Sequence, residues 1–275
     1  MKLAVSNIAW EDPFDPEVLE LLRGAGVTAL EVAPTKLWPE LTTVRAHEVA
    51  QVRQRLAGAG FEVVAMQALL YGQPEFQLFG DEQHVEQLIA YLGTVLRIAG
   101  QLGAEVAVFG SPRNRLRGDL PEEIATARAA AVFARIAQSA AEHGVTVVLE
   151  ANPPAYGADF VTTVTEALDL VRRVDHPGLR LHLDTACMRL AGDDVVTAIT
   201  DGAGLLSHVH ASEPELGPVP GDGRTQHELA ADALRGIGYQ GHVSIEMRPV
   251  AAGRQAQTVA DAVAFVQRVY GGAQP

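Results

Sequence analysis

Strand-like and helix-like segments alternate along this chain from one end to the other, and that alternation is the strongest constraint on its fold. "KLAVSNIA" predicts a first strand. Asp15 and Pro16 then provide a side-chain cap and a first-turn proline for a helix ending near Gly24. "VTALEVAP" predicts strand two, with Thr42 and Thr43 placed to cap a helix through Leu56 that stops at Gly58. "FEVVAMQALL" predicts strand three, and Asp81 to about Gln101 the third helix. "AEVAVFG" predicts strand four. Asp119 and Glu122 have capping-box spacing for a helix that ends at His143 and Gly144.

The second half repeats the pattern. "VTVVLEANPP" opens as strand five, and Thr163 with Glu166 has the capping-box spacing for helix five. "LRLHLD", "LLSHVH" and "HVSIEM" predict strands six, seven and eight. Helices are expected near 193–201 and 225–236, and a last one over Thr258 to Tyr270. Eight strands alternating with eight helices, without a long linker or composition shift, predict one domain over residues 1–275, a single (β/α)8 TIM barrel of the α/β class. A doubly wound open sheet is the alternative, but it carries fewer repeats, and no glycine-rich phosphate fingerprint follows strand one here.

Composition narrows the partners. With 34 acidic and 21 basic side chains the formal net charge is −13, a field that repels nucleic acid and anionic membranes and favours a small-molecule substrate. Cys187 is the only cysteine, so no internal disulfide can form. The start "MKLAVSNIAW" lacks a signal-peptide pattern, and no apolar run approaches bilayer length, so a reducing, cytoplasmic setting is expected.

Catalytic groups of such barrels sit at the C-terminal strand ends. Four consecutive strands here end in metal-competent residues: Glu150, Asp184, His210 and Glu246. Side chains alternate along a strand, so His182, His208 and Ser244 share the inward face with them. Three carboxylates at one mouth repel one another, and a divalent cation would turn that cost into binding energy. An oxygen-rich set with one imidazole suits Mn²⁺ best, with Mg²⁺, Co²⁺ or Zn²⁺ as alternatives. Any one of these residues alone reads as an ordinary polar strand end; four in register favour one metal site.

The segments "VVLEANP", "LHLDTAC", "HVHASEP", "PGDG" and "GYQGHVSIEMRP" resemble the xylose-isomerase-like sugar phosphate isomerase and epimerase superfamily over nearly the whole chain. The resemblance implies that Glu150, Asp184, His210 and Glu246 hold one divalent metal, and that Glu150 and Glu246 are the catalytic pair that moves the substrate proton. It implies an isomerase or epimerase of a sugar or sugar derivative, acting next to a metal-bound carbonyl. It also implies pairing into a homodimer or homotetramer, as related barrels do. The ketose 3-epimerase pattern is broken at Cys187, Tyr156 and Leu216, which stand where a histidine, an acidic residue and an arginine grip substrate hydroxyls. Lyases on 3-oxo-sugars and dehydratases on keto-inositols are therefore the alternative, since elimination beside a carbonyl begins with the same proton abstraction.

Other residues are weighed beside these. Arg113 and Arg115, in "FGSPRNRLR" after strand four, are candidates for binding a substrate phosphate or carboxylate, or else balance surface charge. Gln67, Glu31 and Asn7 stand near the ends of strands three, two and one, where each can bond a sugar hydroxyl. His182 is a candidate substrate contact or a hydrogen-bonding partner that supports the site from below, with a satisfied core histidine as the plain alternative; His208 is equally ambiguous, and His227 reads as part of a helix cap. "ASEPELGPVPGDGRTQ" is long enough to fold over the mouth as a lid. Cys187 reads as a packing residue rather than a nucleophile. Endonuclease IV-like DNA repair needs more histidines and a DNA-attracting surface, and a non-catalytic sugar-binding barrel leaves the ligand set without a purpose.

Overall fold

The computed structural model describes residues 1–271. Eight parallel strands close into a barrel in chain order: β1 (Lys2–Ser6), β2 (Ala29–Val32), β3 (Glu62–Met66), β4 (Val106–Phe109), β5 (Thr146–Leu149), β6 (Leu179–Asp184), β7 (Leu206–Ser212) and β8 (His242–Glu246). Closure comes from β8 pairing with β1, with Val5 opposite Ile245. The chain therefore forms a single (β/α)8 TIM barrel. The strand residues are Val-, Leu- and Ala-rich because the barrel interior covers one face and the helices cover the other.

The helices are α1 (Pro16–Gly24), α2 (Ala46–Gly58), α3 (Glu82–Leu102), α4 (Glu122–Glu142), α5 (Val164–Val174), α6 (Thr185–Ala191), α7 (Val195–Gly202), α8 (His227–Gly236) and α9 (Gln255–Tyr270). Local chemistry fixes their starts. Asp15, Asp81, Thr163 and Asp194 each accept a backbone N–H of the first turn of α1, α3, α5 and α7.

Two expected caps differ. Thr42 and Thr43 lie in a 3₁₀ turn, and α2 starts three residues later, where the Glu48 carboxylate accepts the Arg45 N–H at 2.9 Å. Asp119 does not cap α4, because the helix opens only after Pro121, whose carbonyl accepts the Ala125 N–H. The short helix α6 was not expected. It begins directly on Asp184, whose Oδ1 takes the Cys187 N–H at 2.6 Å.

Register places the strand ends. Asp184 is opposite His210 across β6 and β7, and Ser212 is opposite Glu246 across β7 and β8. Among the described residues no helix is long and apolar enough to cross a membrane.

Candidate metal centre and active site

A cavity of about 520 Å³ opens at the C-terminal ends of the strands, lined by Glu150, Asp184 and Glu246 together with Gln67, Cys187 and Tyr156. Glu150 follows β5 directly, and its N–H still bonds the Phe109 carbonyl, so the ladder carries the side chain to the rim. Gly110 sits against that carboxylate, and a Cβ there would lie 2.2 Å from Oε2 of Glu150. Cys187 donates its thiol to Oε1 of Glu150 at 3.5 Å. Asp184 is fixed from both sides, accepting the Cys187 N–H on Oδ1 and the Ser212 hydroxyl on Oδ2, each at 2.6 Å.

His210, two residues before the end of β7, is buried. Its Nδ1 has no hydrogen-bond partner of proper geometry, yet lies 3.3 Å from Oε2 of Glu246 and 3.7 Å from Oδ2 of Asp184. One oxygen or ring nitrogen from each of Glu150, His182, Asp184 and His210 falls within 4.8 Å of the others. A buried imidazole nitrogen left facing carboxylate oxygens is costly unless a proton or a cation stands between them. The cluster of Glu150, Asp184 and His210, with Glu246 facing Nδ1 of His210, has the donor chemistry to fit a divalent ion.

The electrostatics agree. Burial, with Asp184 and Glu246 nearby, pushes the Glu150 carboxyl up to about 8. Burial likewise raises Glu246, partly opposed by His210. Burial works against a charge on His210, but Glu31 and Glu246 outweigh it and hold the imidazole well above its ordinary range. Such protons are the groups a cation displaces.

The remaining candidate residues are spread over several shells. Gln67 lines the cavity and donates to the Ser6 hydroxyl. Arg115 is buried behind the wall, its Nη2 donating to Oδ1 of Asn152 at 2.8 Å, while its Nε and Nη1 lack partners. Burial lowers that guanidinium to about 10, with Glu150 opposing. Arg113 is exposed on the loop and does not line the cavity. His182 is buried one inward position below Asp184, its ring edge-on to His210 at 4.2 Å with both nitrogens unpartnered. Burial, together with His210 and His208, keeps it well below the ordinary histidine range, hence neutral.

Glu31 and Asn7 do not reach the mouth. Glu31 is fully buried on β2 and faces His208 and His210 across the barrel. Asn7 holds the Ala33 N–H through its Oδ1 at 2.9 Å. In the segment after β7, Glu215 and Leu216 line the cavity with positive φ angles of 60° and 54°, a region where non-glycine residues are strained. The Tyr156 hydroxyl accepts the Glu215 N–H, and the Leu216 carbonyl accepts the Arg248 N–H. Glu213 anchors the segment below, accepting from Thr225, Gly221 and Arg189 and bonding Nε2 of His227 at 3.2 Å. His227 is thus a buried link in this network, its Nδ1 bonded to the Tyr270 hydroxyl.

Sequence reading weighed Glu31 only as a sugar contact and missed its part in the histidine cluster. The signal was the one that exposed Glu150, a carboxylate inside an apolar, strand-like run, "ALEVAP".

Comparison with known proteins gives a family model described as "Xylose isomerase-like TIM barrel", matching residues 19–269. L-ribulose 3-epimerase of Mesorhizobium japonicum is 30% identical over 144 residues, covering 52% of this chain and 48% of that protein. D-psicose 3-epimerase of Ruminiclostridium cellulolyticum is 36% identical over 87 residues, covering 32% of this chain and 29% of that protein. The chain thus spans about half or less of the length of these curated relatives. The crystal structure of D-psicose 3-epimerase with D-tagatose from Clostridium cellulolyticum H10 superposes with a TM-score of 0.82 at 19% identity, over 98% of this chain and 99% of the other, which shows a shared fold.

Proposed function

The chain belongs to the xylose isomerase-like TIM barrel family, and from that premise we propose that it is a divalent-metal-dependent epimerase or isomerase of a sugar or sugar derivative. The observation that carries the reading is that Glu150, Asp184 and Glu246 line one open cavity while the buried Nδ1 of His210, which has no hydrogen-bond partner, faces the Asp184 and Glu246 oxygens. The curated relatives named as ketose 3-epimerases support the substrate class. The donor set of three carboxylates and one imidazole favours Mn²⁺, with Mg²⁺, Co²⁺ or Zn²⁺ as competitors.

A divalent cation held by these residues would polarise a substrate carbonyl and stabilise the negative charge developing on its oxygen. Glu150 and Glu246 exchange the proton on the adjacent carbon. They enter the cavity from β5 and β8, and both carboxyls are shifted toward neutral pH by burial, which suits groups that both accept and return a proton. One glutamate takes the proton and the other delivers it to the opposite face, which is epimerisation; return by one base to the neighbouring carbon is aldose–ketose isomerisation. Ser212 and the Cys187 N–H keep Asp184 from rotating away, and Gly110 leaves room for Glu150. Gln67 contacts a substrate hydroxyl at the cavity wall, while Arg115 acts on the substrate through Asn152. His182 is buried and does not line the cavity, so it is not a substrate contact.

The test is incubation of manganese-loaded protein with ketopentoses, ketohexoses and their phosphates in D₂O. Deuterium incorporation with unchanged carbon skeleton and conserved mass apart from the label is expected. Loss of water from the product would establish elimination instead, and absence of exchange across the panel would overturn the proposal.

A further inference from the structure

The interior of the barrel beneath the cavity is unusual for its chemistry. Where a TIM barrel axis is normally filled with branched aliphatic side chains, this one holds His182, His208, His210 and Glu31, all at 0–1% exposure. Glu31 comes from β2 and reaches across the axis to β7. Both of its oxygens lie 3.0 Å from Nε2 of His210, and Oε1 lies 3.5 Å from Nε2 of His208.

The geometry points to Glu31 as a positioning residue for the cation site, one that fixes the tautomer and orientation of His210 from the far side of its ring. The inference rests on the metal-centre part of the function proposed above and is independent of which sugar is turned over. Its logic is short. The atoms facing Nε2 are carboxylate oxygens, so Nε2 carries a hydrogen and donates it. An imidazole whose Nε2 is protonated offers its Nδ1 lone pair once a cation displaces the other proton, and Nδ1 is the atom directed at Asp184 and Glu246. A bond from opposite the barrel also prevents rotation about the His210 side chain that would take Nδ1 off the donor set. The negative charge of Glu31, passed through the ring, makes Nδ1 a stronger donor. No other described carboxylate bonds Nε2 of His210, so nothing else supplies this constraint.

Titration of the chelator-treated full chain with Mn²⁺ and Co²⁺, followed by calorimetry and by the visible spectrum of the cobalt form, tests the assignment. Glu31→Gln keeps the volume and an acceptor oxygen but removes the charge, and is expected to weaken cation binding about tenfold; Glu31→Leu removes both and is expected to weaken it toward 100-fold. The cobalt spectrum is expected to shift in both variants. A residue with a merely structural role would lower Tm while leaving the dissociation constant and the cobalt spectrum of the folded protein at wild-type values. That result in Glu31→Gln, the variant least disturbing to packing, overturns the inference. Absence of cation binding in the unsubstituted protein would overturn the metal reading itself, and is detected before any variant is made.

Discussion

Nδ1 of His210 stands 3.3 Å from Oε2 of Glu246, so the imidazole of β7 faces the carboxylate that ends β8. Without a cation, burial together with Asp184 and Glu246 pushes the Glu150 carboxyl up to about 8, and Glu31 and Glu246 outweigh burial to hold the His210 imidazole well above its ordinary range. Cation binding near pH 7 is therefore expected to release protons. Calorimetry in two buffers of different ionisation enthalpy should give a positive proton release, and affinity should rise with pH up to about 8. A heat independent of buffer would contradict this.

The same shifts set the stability of the cation-free protein. The carboxyl of Glu150 is raised in the fold, so its contribution is complete below the ordinary value of 4.5 and is lost as pH rises through about 8. His210, also raised, acts in the same direction above its ordinary value of 6.5. Thermal melts in chelator should show Tm falling between about pH 5 and pH 9. Manganese should flatten that slope; a Tm that climbs with pH in chelator would refute the charge arrangement.

Replacing either glutamate by Gln at saturating metal should cut kcat by about 10²–10⁴, the usual contribution of a positioned acid or base. If the two work on opposite faces, one variant should still wash deuterium into the substrate without producing the epimer. Mass spectrometry of recovered substrate and product separates these outcomes. Full epimerisation by Glu246→Gln would remove Glu246 from proton transfer.

Gly110→Ala places a methyl group 2.2 Å from Oε2 of Glu150, well inside van der Waals contact. The carboxylate must move, and both cation affinity and turnover should fall, while far-UV circular dichroism stays unchanged. Wild-type affinity would mean that Glu150 has a second competent position.

Glu213→Ala removes the acceptor for Thr225, the Gly221 N–H and Arg189, and leaves His227 half-partnered in a buried setting. A loss of about 1–3 kcal/mol is expected, equivalent to roughly 2–4 °C of Tm per kcal/mol in a chain of this size class. Because Glu215 and Leu216 are held above this anchor, the Michaelis constant should rise as well. A melt unchanged within error would show that the network contributes nothing net.

The barrel was legible because its information is periodic and local. Apolar runs such as "TVVL" and "VAVF" are buried on both faces, and caps such as Asp15 and Thr163 act within three residues. The strand-end alternation likewise brought Glu150, Asp184 and Glu246 to one cavity. What escaped was non-local. Asp184 reads as a strand end, and its second task as the cap of α6 depends on the chain turning immediately into a helix. Glu31 reads as a polar strand residue, and only barrel closure carries β2 across from β7. Arg115 and Arg113 are two residues apart with the same chemistry. Burial against Asn152 and Val161 for one and solvent for the other is decided by the path of the 3₁₀ turn at Pro112–Asn114.

The bond from the Glu215 N–H to the Tyr156 hydroxyl joins the loop after β5 to the loop after β7, and the Leu216 carbonyl continues the connection to the segment after β8. These links form a hoop over half of the rim. The loop after β7 is the shared link of the two bonds, so altering it disturbs the loops after β5 and β8 together. The excursions after β3 and β4 are tied in as well, because Asn114 donates to the Gln73 and Phe76 carbonyls and Arg115 donates to Asn152 and the Val161 carbonyl, so a change in one rim loop is felt by the next.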